Sequence, residues 1–130
     1  MNVFDARFTR FTSYPDIGGN RLGIKFTRSS KPVIDIVVGN ITLSLEQIQQ
    51  DDLLGGVVWN AAIVLMEFLE TLNISYPGMN VLELGSGTGA VGLFLACKGC
   101  NCVLTDLQIE LLERNSKRNG VEVGIRRFDW

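Results

Sequence analysis

Alternation of apolar and polar positions is the main pattern in the first third of the chain. Three runs show it, at residues 22–26, 34–38 and 41–45. Because successive side chains of a strand point to opposite faces, this period predicts strands with one buried face. Gly39 and Asn40 separate the last two runs, and a two-residue connection is typical of a tight hairpin. These features predict a small antiparallel β extension, preceded by an arm of undefined structure over residues 1–20.

The period lengthens after the glycine pair Gly55-Gly56. Residues 58–72 carry apolar side chains at helical spacing, which predicts a helix, and Tyr76-Pro77-Gly78 predicts where it stops. We therefore place a boundary near the glycine pair. It divides the chain into an arm with its β extension, residues 1–52, and a second part, residues 53–130.

Short apolar strands then alternate with helices to the end of the chain. The predicted order is a strand at 80–84, a helix at 90–98, a strand at 101–105, a helix from Asp106 to about residue 118, and a strand at 125–129. Asp106 is the predicted N-cap of the second of these helices, while Gly99 and Asn119-Gly120 stand where the two helices should end. This alternation predicts a pair of parallel βαβ units.

Composition narrows the classes of protein to which the chain can belong. Its 130 residues fit one domain, and 46% hydrophobic residues are enough to bury a core. A formal charge of −2 argues against nucleic-acid binding through phosphate neutralisation. No apolar run approaches the ~20 residues of a membrane span, and no secretory leader is evident. We therefore expect no membrane partner and a cytoplasmic protein, with the nucleus as a second location.

The residue inventory also restricts the chemistry. The chain has no histidine, which excludes Ser-His-Asp and Cys-His catalysis as well as imidazole metal ligands. Its three cysteines, Cys97, Cys100 and Cys102, are closely spaced. An odd number of thiols without a secretion signal predicts reduced cysteines, and three neighbouring ligands leave a tetrahedral metal site one ligand short. We expect these cysteines to pack as small apolar residues and expect no metal site.

The segment 81–92 carries most of the chemical information. Gly85, Gly87 and Gly89 allow a sharp turn between the predicted strand and helix, and they let a ligand approach the main chain closely. The N-terminus of the following helix offers N–H groups to a carboxylate or a phosphate. Asp106, at the end of the next strand, is placed to accept both hydroxyls of a ribose. The segment therefore predicts a ligand that contains a nucleoside.

Two kinds of nucleoside ligand fit this segment. Residues 87–92 read G-x-G-x-x-G, the fingerprint of dinucleotide-binding proteins. Glu83 favours the other kind, because a carboxylate at the end of the strand would repel pyrophosphate and attract a cationic sulfonium with its amino group. Both ligands stay open on these residues alone.

Residues 83–89, Glu-Leu-Gly-Ser-Gly-Thr-Gly, resemble the first motif of the seven-strand S-adenosylmethionine (SAM)-dependent methyltransferases. The wider pattern is similar to one branch of that class, the family 16 protein-lysine methyltransferases of the methyltransferase-like 21 type. Three further motifs of the branch have counterparts: Gly56-x-x-Trp59 at a helix start, Asp106 after the second strand and Asp129-Trp130 after the third. The resemblance covers about residues 20–130.

This resemblance implies an α/β fold, namely the N-terminal half of a Rossmann-like doubly wound parallel sheet preceded by the antiparallel extension. It implies SAM as cofactor, held by residues that would run from its methionine part to its adenine: Glu83, Gly85, Ser86, Gly87, Trp59, Asp106, Asp129 and Trp130. Asp106 would hold the ribose hydroxyls, and Asp129 would lie near the adenine amino group. The alternatives are a core position for Trp59, a simple helix cap for Asp106, and no role for Asp129-Trp130.

The resemblance also implies a chain truncated after the third of seven strands. The acidic-x-x-aromatic motif that helps form the family's methyl-acceptor channel has no counterpart, so no catalytic residue is assigned. The strand at 81–84 would be left as an open edge with uncovered apolar flanks. The implied function is methylation of a lysine on a protein substrate, with the activity of the short form open. The alternatives are a non-catalytic paralogue that binds a partner through its exposed edge, and half of an NAD-dependent oxidoreductase.

Overall fold

A computed structural model describes residues 31–50 and 53–129 of the chain. Five strands and three α-helices follow one another along it. They are β1 (Val33–Val38), β2 (Ile41–Glu46), α1 (Asn60–Thr71), β3 (Asn80–Leu84), α2 (Ala90–Cys97), β4 (Asn101–Asp106), α3 (Glu110–Asn119) and β5 (Gly124–Arg127). A short 3₁₀ turn, Leu54–Gly56, precedes α1.

The predicted hairpin is confirmed for its two described strands. β1 and β2 pair antiparallel, with Val38 opposite Ile41 across the two-residue turn. Gly39 has a φ of +58° there, a conformation that side chains of L-residues rarely adopt. The predicted strand at 22–26 and the arm at 1–20 lie outside the described residues.

The predicted parallel βαβ units are confirmed as well. β3, β4 and β5 lie in that order and pair in parallel, with Val81 opposite Cys102 and Leu104 opposite Ile125. The boundaries differ from the predicted ones by two residues or fewer at most ends. The start of α3 is the exception, because three residues of connection separate β4 from the helix.

One core joins the hairpin to the parallel sheet. Its members come from the inner faces of the hairpin, α1, α2, β4 and α3, and include Ile36, Val38, Leu43, Leu45, Met66, Leu93, Phe94, Leu104 and Leu112. The hairpin packs against all three α-helices. The division at residue 52 stays a prediction.

The sheet buries one face and leaves the other open. Cys102 and Leu104 of β4 are buried, while Leu82, Leu84 and Val103 on alternate positions are exposed. Within the described chain, β3 pairs with β4 alone, so its other edge is open as predicted. The apolar residues at 82, 84 and 103 thus form a surface continuous with an open strand edge, which we call the open face.

The cysteines and the helices bear on three further expectations. Cys100 and Cys102 are buried, as expected of small apolar residues, and burial raises the pKa of the Cys102 thiol to about 11. The expectation is wrong for Cys97, which is exposed near the end of α2. In the two described stretches, no cluster of three metal-ligating side chains occurs. Among those same residues, none of the helices has the length and apolar character required to cross a bilayer.

Candidate functional site

A glycine loop connects β3 to α2 at the carboxyl end of the sheet. Gly85, Gly87 and Gly89 have φ values of +66°, +55° and +83°, which favour glycine at all three positions. The Ser86 N–H donates to the carbonyl of Thr105 on β4 at 2.9 Å, and the Gly89 N–H donates to the Ser86 carbonyl at 2.8 Å. The loop therefore folds back over the end of the neighbouring strand before α2 begins.

Gly92, the last glycine of the G-x-G-x-x-G pattern, allows α2 to approach the sheet. A Cβ atom at this position would lie 2.0 Å from Leu104 Cδ2 and 2.5 Å from Glu83 Oε2. Close helix–strand packing and a carboxylate therefore account for this glycine. A glycine at this position of the pattern therefore does not require a bound phosphate.

Glu83 places a carboxylate in the first turn of α2. Its Oε2 accepts a hydrogen bond from the Gly92 N–H at 3.1 Å. Burial raises the pKa of this carboxyl group to about 7, against the lowering effect of hydrogen bonds from Ser86 and Gly92, and Asp106 adds a further increase by repulsion. No lysine or arginine of the described chain forms an ion pair with it. A cationic ligand would supply the missing partner.

Asp106, at the end of β4, fixes the loop from the other side. Its Oδ2 accepts from the Gly87 N–H at 2.8 Å, and its Oδ1 accepts from the Gln108 N–H at 3.2 Å. The prediction that Asp106 caps the following helix is wrong, because α3 begins at Glu110 and its N-cap position is Ile109. The carboxylate instead accepts from the N–H two residues later, in a turn that precedes the helix.

The segment before α1 forms the opposite wall. Trp59 stands at the N-cap position of α1, is 47% exposed, and donates from its indole Nε1 to the Leu54 carbonyl at 2.9 Å. Gly55 touches the loop, since a Cβ on it would lie 3.3 Å from Gly87 Cα. The alternative of a core position for Trp59 is therefore wrong. The contact between Gly55 and Gly87 was not predicted, although the glycine pair at 55–56 was its signal.

These walls enclose a cavity of about 630 Å³, within the usual range for small-molecule sites. Seven of the eight predicted site residues line it: Trp59, Glu83, Gly85, Ser86, Gly87, Asp106 and Asp129. Trp130 lies outside the described residues. Sequence reasoning missed Leu53, Leu54 and Val57 in the wall, because apolar residues before a helix carry no signal of a ligand.

A larger open groove of about 1300 Å³ lies elsewhere. It runs past Asn80 and Asn101, at the amino ends of β3 and β4, and along α3 and the segment that precedes β5. It contains none of the predicted site residues. Because ligands of open parallel sheets bind beyond the carboxyl ends of the strands, the smaller cavity is the better candidate site.

Comparisons with known proteins give the family and the relatives that this chain resembles. A family model described as lysine methyltransferase matches residues 38–130. The zebrafish (Danio rerio) protein N-lysine methyltransferase METTL21A is 45% identical over 65 residues, which cover 48% of this chain and 30% of that protein. The mouse (Mus musculus) protein of the same name is 34% identical over 91 residues, covering 68% of this chain and 42% of that protein.

A third relative is the mouse EEF1A lysine methyltransferase 3, 43% identical over 54 residues, which cover 42% of this chain and 23% of that protein. The matches thus span less than half the length of these relatives. A solved structure of a Pyrococcus abyssi tRNA (uracil-54, C5)-methyltransferase in complex with S-adenosyl-L-homocysteine superposes with a TM-score of 0.51. It is 22% identical and covers 76% of this chain and 24% of that one, so it supports the fold.

Proposed function

This chain belongs to the lysine methyltransferase family, and on that premise we propose that it forms the cofactor-binding part of a SAM-dependent protein-lysine N-methyltransferase. One observation carries the proposal. Glu83 and Asp106, at the carboxyl ends of neighbouring parallel strands, both line one cavity closed by the glycine loop. An acid at each of these positions suits a ligand with a positive charge at one end and a ribose next to it.

The residues present fit SAM. The Asp106 oxygens each accept one backbone N–H and keep further lone pairs for the ribose hydroxyls. Glu83, which forms no ion pair within residues 31–50 and 53–129, would face the positively charged methionine part. Asp129 and Trp59 line the same cavity, where they would bound the adenine and the cofactor's flank.

A dinucleotide fits less well. The Gly92 N–H in the first turn of α2 already donates to the Glu83 carboxylate. A pyrophosphate in the anion-binding position of this helix would therefore meet a carboxylate across a few ångströms, and the two negative charges would repel each other. This geometry favours a cationic ligand over NAD.

Bound SAM supplies a methyl group on a positively charged sulfur, which is ready for transfer to the lone pair of an unprotonated lysine amine. The described residues would contribute binding and orientation, which lower the barrier of such a displacement. The Leu53, Leu54 and Val57 side chains, together with Trp59, form the apolar wall of the cavity and would limit water access. None of the described residues is assigned to the methyl-acceptor site.

The proposed substrate is a lysine side chain on a protein. Relatives named as protein lysine methyltransferases support this class of acceptor. We further propose the cytoplasm as place of action, with the nucleus as a second location, because three free thiols are typical of a reducing compartment.

Calorimetric titration of the 130-residue chain with S-adenosylhomocysteine (SAH) tests the proposal. We expect saturable binding, and we expect Asp106→Ala to weaken it about 10–100-fold, because hydrogen bonds to a charged group contribute about 1.5–3 kcal/mol. Asp35→Ala is the matched control, since Asp35 is exposed on β1, outside the cavity. Absence of binding by the wild type, or equal loss in the two variants, would contradict the proposal, as would tighter binding of NADH than of SAH.

The open face favours a second candidate, a module that binds a partner by strand addition. Leu82 and Leu84 are 64% and 55% exposed. The Met79 carbonyl accepts from the Asn101 N–H at 2.7 Å, so by alternation the main-chain groups of residues 80, 82 and 84 point to the free edge. Among the described residues, no strand pairs with these main-chain groups. Together with the apolar side chains at the same edge, they suit an added strand. Concentration-dependent association without SAH binding would favour this function over methylation.

A further inference from the structure

Two asparagines of α3 bind the edge of β2 that faces away from β1. Asn119 accepts from the Ser44 N–H at 2.8 Å and donates to the Ser44 carbonyl at 2.9 Å. Asn115, one turn earlier, accepts from the Glu46 N–H at 2.7 Å and donates to the Glu46 carbonyl at 3.1 Å. Each side-chain amide thus pairs with one residue of the strand as a further strand would. The spacing of four along a helix matches the spacing of two along a strand.

Asn115 makes one contact that Asn119 does not make. Its second amide hydrogen is donated to the carbonyl of Thr88 at 2.9 Å, in the middle of the glycine loop. The residue is 0% exposed, and both hydrogens and the oxygen of its amide are used. A buried amide with every group satisfied is a rigid link, since leaving any of its partners unpaired is costly. This link joins the hairpin, α3 and the loop.

The loop is therefore held from two sides. In front, toward the cavity, Asp106 accepts from the Gly87 N–H. On the other side, Asn115 donates to the carbonyl of Thr88, the residue after Gly87. Leu112, also on α3, comes close to Gly89, where a Cβ atom would lie 2.8 Å from its Cδ2. The segment Gly87-Thr88 is thus held at the Gly87 N–H by Asp106 of β4 and at the Thr88 carbonyl by Asn115 of α3.

We propose that Asn115 is a positioning residue for the cofactor loop, through which the β hairpin sets the shape of the cavity. The inference rests on the proposed function for its ligand, SAM, and goes beyond it by assigning a role to a side chain that does not line the cavity. Asn115 acts through Thr88 and the glycines on either side. Asn119 has the same relation to the strand and no relation to the loop.

The test compares Asn115→Ala with Asn119→Ala in the 130-residue chain. Both variants remove a side-chain amide from the β2 edge, so we expect both to lower the unfolding temperature. We expect Asn115→Ala alone to weaken SAH binding, about tenfold, and to speed hydrogen exchange at the Gly87 and Gly89 amides by a similar factor. Asn119→Ala should speed exchange at the Ser44 amide and leave the loop and the SAH affinity within twofold of wild type.

Asn115→Asp is a second variant that keeps the side-chain shape and the acceptor for the Glu46 N–H. It replaces the nitrogen that donates to both the Glu46 and the Thr88 carbonyls by an oxygen, so the loop should again exchange faster. If neither variant folds, hydrogen exchange of the wild type is the measurement: a link through Asn115 predicts that the Gly87, Gly89 and Glu46 amides open with one common free energy, and clearly different values would overturn the positioning role. Equal effects of the Asn115 and Asn119 variants on loop exchange would overturn the positioning role. A wild type that binds no SAH, with loop exchange that still depends on Asn115, would contradict the proposed function and leave the positioning role supported.

Discussion

β2 and β3 differ in which side chains they bury and in how their edges are covered. β2 buries Leu43 and Leu45, which are 1% and 0% exposed, and its free edge is covered by two asparagine amides. β3 exposes Leu82 and Leu84, turns Glu83 toward the covered side, and leaves its edge open in the described chain.

This difference between the two strands points to two surfaces of β3, the candidate cofactor cavity and the open face. A strand that exposes leucines and partly buries a carboxylate runs against the usual distribution of apolar and charged residues. Such departures are expected where a ligand or another surface completes the structure. The inward carboxylate of β3 marks the candidate cofactor cavity, and the outward leucines mark a surface suited to a further strand. β2 has neither feature, because its leucines are buried and Asn115 and Asn119 bind its edge.

The largest expected effect compares the same substitution on the two faces of the parallel sheet. Leu104→Ala, on the buried face, should lower the free energy of unfolding by about 2–5 kcal/mol, because it leaves a cavity in a packed core. Leu82→Ala, on the open face, should change it by no more than about 0.5 kcal/mol. Urea unfolding of both variants gives the comparison. Similar losses in both would show that the open face is covered in solution.

The free energy of unfolding should depend on pH through Glu83, whereas the neighbouring leucines do not titrate. Its folded-state pKa, about 7, lies above the ordinary value of 4.5, so protonation favours the folded state. The stabilisation is complete below pH 4.5 and is lost as the pH rises through 7, a difference of about 3 kcal/mol. We expect the wild type to lose stability between pH 5 and pH 8 and Glu83→Gln to lose less, in urea unfolding at both pH values. Parallel profiles for the two proteins would contradict the assignment.

The smallest effect on stability concerns the β3 edge. Leu82→Lys places a charge on the open face, and charged side chains at an edge oppose strand addition. We expect reduced self-association in sedimentation velocity at raised concentration, with an unfolding midpoint within about 0.5 kcal/mol of wild type. Thr42→Lys, at an exposed position of the covered strand β2, is the control and should leave association unchanged. An equal change in both variants would assign the effect to net charge.

Local periods allowed the sequence to predict most of the fold. The hairpin and the parallel βαβ order depend on alternation, on turn glycines and on helix ends, all of which act over a few residues. The candidate site residues were predictable for a similar reason. Glu83, the glycine loop and Asp106 each stand at the end of a predicted strand, and parallel strands bring those ends together.

The features that escaped prediction depend on distant parts of the chain. Asn115 meets Glu46 across 69 residues, and nothing in its local sequence distinguishes it from a surface asparagine. The same holds for Gly55, whose contact with Gly87 exists because the segment before α1 crosses the loop. Asp106 was predicted as a helix cap because its residue type and position allow it. In the structure, the carboxylate instead accepts hydrogen bonds from the Gly87 and Gln108 N–H groups.

The central claim is that the cavity at the ends of β3 and β4 holds the cofactor. Nitrogen-15 NMR titration of the chain with SAH tests it most directly, because each amide reports its own surroundings. We predict saturable shifts at the amides of Gly87, Gly89 and Gln108 and at the Trp59 indole, with those of Val123 and Gly124 in the other groove unchanged. Shifts confined to Val123 and Gly124, or no shifts at saturating SAH, would contradict it.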